Sequence, residues 1–89
     1  MVDYTFKTVE LYNYSDEDWQ NIQLWINKNY VVAVPKIAKG KDRTTLLNFQ
    51  MFFDDTGNYF VTNYGKKRID TLEMYRDGKM YTVKLGLAD

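Results

Sequence analysis

With no histidine and no cysteine in the sequence, proton transfer near neutral pH falls to carboxylates. Asp54 and Asp55 are adjacent, and Asp70 and Glu73 lie three apart. Metal-assisted hydrolysis needs two or three carboxylates converging on one Mg²⁺. On a strand, residues three apart point to opposite faces, so Asp70 and Glu73 diverge. Asp54-Asp55-Thr56-Gly57-Asn58 reads as an ordinary turn. A Ser or Tyr nucleophile without histidine would need a lysine base, and Ser15 is better used as a cap. Zinc, copper and haem sites lose their usual ligands. The sequence therefore predicts no enzyme, no cofactor and no metal site. It predicts a protein that works by contact.

Two basic stretches are the next candidates. Lys36, Lys39, Lys41 and Arg43 form one, and Lys66, Lys67 and Arg68 the other. Both neighbour aromatic segments carrying Tyr59, Phe60 and Tyr64. Cations that track phosphates, beside rings that stack on bases, are how single-stranded nucleic acid is held. Against this stands the charge balance of 12 basic and 12 acidic residues. A nucleic-acid-binding domain usually carries a basic excess. Lysines also blunt sheet edges and solvate turns. Nucleic acid is therefore the alternative partner, not the first. Asp16-Glu17-Asp18 could imitate phosphates, but a helix N-terminus would explain all three.

The elements that would position these groups follow from periodicity. Ser15 with Asp16 to Asp18 reads as a capped helix start. Trp19, Ile22, Ile26 and Tyr30 then recur on one face of a 3.6-residue period. Leu24 falls opposite that stripe and is expected to be exposed, with Trp25 at its border. Tyr4 to Tyr14 reads as a strand whose apolar parity switches between Phe6 and Val9. That switch implies a bulge near Lys7-Thr8, or burial on both sides. Tyr30 to Ile37 reads as a strand; since Pro35 cannot donate to a ladder, the strand lies at an edge, or Pro35 marks its end or a bulge. Thr44 to Phe53 reads as one long strand with Leu47, Phe49, Met51 and Phe53 inward. Asn58 to Tyr64 reads as its return. Asp77-Gly78 is a two-residue turn signal that pairs Arg76 with Lys79, Met74 with Tyr81, Leu72 with Val83 and Asp70 with Leu85. Its apolar face is Leu72, Met74, Tyr81, Val83 and Leu85.

The expected fold is α+β, one domain over residues 1–89. One α-helix packs on a twisted antiparallel sheet of five to six strands, in the order β-α-β-β-β-β-β. The alternative is a small β-barrel plugged by one helix. No segment has the roughly 20 apolar residues needed to span a bilayer. The start of the chain lacks a signal peptide's features, so a cytoplasmic protein is expected. Lys outnumbers Arg nine to three, and Ala and Pro are scarce, a bias typical of AT-rich coding DNA. Size and composition would suit a regulator or inhibitor of a host protein, carried by a phage or other mobile element. It would then act in the host cytoplasm. Leu24, Trp25, Phe52, Tyr75 and Met80 fall outside the expected core face. Aromatic and Met residues are enriched at interfaces. The leading expectation is a non-catalytic module acting by protein–protein contact, and as a homodimer.

Overall fold

The computed structural model describes residues 1–62 and 68–85, leaving aside the side chains of residues 41 and 42. Among the described residues, seven strands run in chain order: β1 (Val2–Asp3), β2 (Thr8–Asn13), β3 (Trp19–Ile26), β4 (Tyr30–Ile37), β5 (Gly40–Asn48), β6 (Leu72–Arg76) and β7 (Lys79–Thr82). One 3-10 turn, Phe49–Met51, follows β5. Two antiparallel sheets result, ordered β1-β2-β5 and β4-β3-β6-β7. No α-helix occurs among the described residues. The α+β expectation is therefore corrected to a nearly all-β fold, and a barrel plugged by a helix likewise lacks its helix.

The segment read as a helix is β3. Ile22 and Ile26 are four apart, a spacing that satisfies both a helical face and a strand face. Leu24 decides between them. It is 0% exposed and stands in line with Ile22 and Ile26, the period of two that a strand requires. Ser15 caps no helix. Its backbone N–H and hydroxyl donate to Asn13 Oδ1 at 3.0 and 2.6 Å, closing a bend. Asn27 and Lys28 sit at φ 52° and 60°. That left-handed pair turns β3 back into β4.

Two other parity expectations change for one reason: the chain turns where a continuous strand was read. Tyr4 to Lys7 is a turn between β1 and β2, with Asp3 Oδ1 accepting from the N–H groups of Thr5 and Phe6 at 2.9 and 3.0 Å. The switch between Phe6 and Val9 is that turn, not a bulge. At the far end of β5, Asn48 Oδ1 accepts from Gln50 N–H at 2.9 Å and starts the 3-10 turn. The register of faces shifts there. Phe52 becomes fully buried, while Met51 and Phe53, expected inward, are exposed. Asn58 to Tyr64 is no continuous strand over its described part. Tyr59 makes an isolated bridge to Phe53, and Phe60 is buried. Tyr64 lies outside the described residues.

Other expectations hold. β4 spans Tyr30–Ile37 and lies at the edge of its sheet, as Pro35 requires. In the final hairpin Arg76 pairs with Lys79 and Met74 with Tyr81. Asp77 and Gly78 have φ 53° and 79°, the left-handed pair that a two-residue turn needs. Val83 N–H donates to the Leu72 carbonyl at 2.8 Å, continuing that register.

The inner faces of the sheets share one apolar cluster. Val9, Leu11 and Leu47 enter from one sheet, and Ile22, Leu24, Ile26, Leu72 and Met74 from the other. Phe49 meets Tyr4 and Phe60 edge-on at 6.0 and 5.2 Å between ring centres, and Phe60 meets Tyr30 at 5.2 Å. Edge-on rings add roughly 0.5–1.5 kcal/mol each beyond the area they bury. Asn13 is the buried polar residue of this core. Its Nδ2 donates to the carbonyls of Glu17 and Ile37 at 2.9 and 3.1 Å, tying β2, the acidic bend and β4 together.

Candidate binding cleft at the β7 edge

In the first basic stretch, Lys36 and Lys39 contact the acidic bend. Lys36 Nζ lies 3.4 Å from Asp18 Oδ2, and Lys39 Nζ donates to the Asp16 carbonyl at 3.4 Å. Lys39 N–H donates to Asp18 Oδ1 at 2.9 Å. That backbone N–H holds the Asp18 carboxyl below the usual range, and the charges of Lys36 and Lys39 assist. The acidic bend and the basic loop, read from sequence as separate sites, thus face each other. Arg43 is exposed on β5. The side chain of Lys41 and all of Tyr64, Lys66 and Lys67 lie outside the described residues. Arg68 places its guanidinium 5.4 Å from the centre of the Tyr4 ring. Tyr59 is exposed and edge-on to Phe53 at 6.4 Å.

Of the two apolar candidates, Leu24 is buried, which corrects the expectation that it is exposed. Trp25 is half-buried, and its Nε1 donates to Gln23 Oε1 at 3.3 Å. With Lys28, Glu73 and Met80 it lines a shallow hollow on the outer face of the sheet.

A deeper cleft of about 330 Å³ opens where β2 faces the β6–β7 hairpin. Leu11, Ile37, Met74 and Val83 supply its apolar wall. Tyr12, Trp19 and Tyr81 supply aromatic surface, and Arg76 stands among them. The Arg76 guanidinium lies 5.2 Å from the Trp19 ring centre, a cation–π arrangement. Its Nη2 is 2.8 Å from Glu17 Oε1, and its Nε is 3.6 Å from Asp77 Oδ2. Trp19 Nε1 is buried and has no hydrogen-bond partner among the described residues. Tyr12 donates its hydroxyl to Glu10. That bond to a carboxylate pushes the Tyr12 hydroxyl pKa up.

β7 forms the rim of this cleft. Among the described residues it pairs only with β6, and all four of its residues are exposed. The bond from Val83 to Leu72 fixes the alternation along this ladder. Arg76/Lys79, Met74/Tyr81 and Leu72/Val83 are the pairs that exchange hydrogen bonds. Met80 and Thr82 therefore turn their N–H and C=O groups away from β6, to the open side. Such an edge is a template for another strand. Lys79 and Lys84 are exposed beside it, and neither makes an ion pair among the described residues.

The hairpin and its register are legible in the sequence, whose alternation puts Tyr81 on the apolar face. Tyr81 is 40% exposed and lies on β7, the edge strand of its sheet. Which strand of one sheet faces which strand of the other is a long-range fact without a local signature. The cleft's donors and rings suit holding a ligand. No group of three or more Asp or Glu among the described residues is placed to hold a metal ion. Also among the described residues, no helix is long and apolar enough to cross a membrane. No family model, no curated protein and no solved structure matches the chain.

Proposed function

We propose that this chain is a non-catalytic binding module that acts by protein–protein contact, taking an extended segment of a partner protein as an added strand along β7. The observation that carries the reading is the open backbone of Met80 and Thr82 beside an apolar cleft of about 330 Å³. Strand addition draws affinity from main-chain hydrogen bonds and specificity from pockets that accept alternate side chains. The edge supplies the first and the cleft supplies the second. Burying one Leu- or Phe-sized side chain in the cleft would contribute roughly 1.5–3 kcal/mol.

The single-stranded nucleic-acid reading draws no support from Lys36, which pairs with Asp18, or from Lys39, whose Nζ donates to the Asp16 carbonyl. The test is selection from a random peptide library on the immobilised protein. Hydrogen exchange is then measured with the enriched peptide bound. Slowed exchange at the Met80 and Thr82 amides, with enrichment lost in Tyr81→Asp, supports the reading. Failure to enrich any peptide, or protection confined to other strands, overturns it.

A further inference from the structure

The charges and pockets along β7 also specify what the added segment should look like. Resting on the strand-addition reading, we infer that the partner segment is an antiparallel strand patterned acidic, apolar, any, apolar, any, acidic. In an antiparallel ladder its residues stand in turn opposite Lys84, Val83, Thr82, Tyr81, Met80 and Lys79. Side chains alternate across a sheet. The two residues opposite Val83 and Tyr81 therefore point to the cleft side, where Met74 and Leu11 line the wall. The two opposite Thr82 and Met80 point to the outer face and exchange hydrogen bonds with the open edge. The end residues meet Lys84 and Lys79, two exposed cations without ion pairs among the described residues. Opposite charges directly across a ladder attract, and like charges repel.

A second copy of this chain does not fit that pattern. No two acidic residues in the sequence are five positions apart. Pairing β7 with itself would also bring four lysines to one short edge. The segment therefore belongs to a different protein.

The probe is a fluorescent peptide, Glu-Val-Thr-Phe-Thr-Glu, with twins in which both Glu are replaced by Gln or by Lys. Two exposed ion pairs predict that the Glu peptide binds about twofold to thirtyfold tighter than the Gln twin, with the Lys twin weakest. The order reverses in the Lys79→Glu, Lys84→Glu double variant, and the spread narrows in high salt. Amide NMR shifts at Met80 and Thr82 report strand addition separately. Equal binding of all three peptides, with those amides shifted, overturns the acidic pattern and leaves strand addition standing. No shift at those amides with any peptide overturns both. Dimer formation by sedimentation, with the same amides perturbed by protein concentration alone, assigns the edge to a second copy and overturns the pattern. The comparison of twins on the unaltered protein decides the matter even if the double variant melts early.

Discussion

Replacing Leu24 by Ala separates a strand from a helix in this chain. On the outward face of an amphipathic helix the change would be nearly silent, within about 0.5 kcal/mol. In the structure Leu24 is 0% exposed, paired with Val32 on one side and Met74 on the other. Truncation removes buried methyl groups and leaves a cavity between strands that cannot collapse independently. Buried Leu→Ala changes cost about 2–5 kcal/mol. For a domain of this size each kcal/mol moves the midpoint by about 4–8 °C. The expected drop in Tm is therefore at least about 8 °C. Thermal melts followed by circular dichroism measure it, and urea titration gives the free energy with an unchanged slope. Leu46→Ala is the internal control, since Leu46 is 60% exposed on β5. A Leu24→Ala loss no larger than the Leu46→Ala loss would refute the packing of β3.

Asn13→Ala should cost about 1–3 kcal/mol in urea titration, because it strips a partner from the buried Ile37 carbonyl at the end of β4 and loosens the acidic bend. An effect within 0.5 kcal/mol, the range of an ordinary surface change, would contradict that role. Asp54 has its carboxyl held below the ordinary 3.8, chiefly by the Thr56 hydroxyl and then by the Asn58 N–H. A depressed carboxylate contributes stability above its unfolded value and loses it as pH falls through the folded one. Asp54→Asn should therefore flatten the decline in stability below about pH 4, read from urea midpoints at stepped pH. An unchanged acid limb would argue against the bonds of that turn. Gly78→Val should destabilise the final hairpin by about 1–2 kcal/mol, since φ 79° is left-handed and Val resists it. A neutral result in thermal melts would mean that the turn adopts another form.

How much of this was legible depended on whether the deciding signal was local. Asp77-Gly78 fixed a turn type, the turn type fixed a register, and the apolar alternation agreed with it. Pro35 placed β4 at an edge by chemistry that any context would respect. β3 was misread because Ile22 and Ile26 fit two periods, and the acidic residues before them resemble a helix start. The Asp18 carboxylate instead meets Lys36 and the Lys39 N–H, more than fifteen residues away, and the Asp16 carbonyl accepts from Lys39 Nζ. Nothing near Ser15 announces that. The 3-10 turn at Phe49–Met51 was hidden for a similar reason. The alternation of Leu47, Phe49, Met51 and Phe53 reads as one strand, and the Asn48 side chain, bonding Gln50 N–H, breaks it. Of the residues that form the cleft, Met74, Tyr81 and Val83 were placed correctly on one face. That the face would be left half open depended on β7 being the edge strand of its sheet.

The order of strands in the larger sheet also governs how the chain reaches this shape. β3 and β4 are neighbours in sequence and can close early. Its other neighbour is β6, so Ile26 waits for Leu72 and Trp25 for Glu73. During synthesis one flank of β3 stays bare until nearly all the described residues have left the ribosome. Loop closure over such a span is slow, and an unsatisfied strand invites the wrong companion. Chains halted before residue 72 should therefore clump, whereas those extended past residue 83 should not.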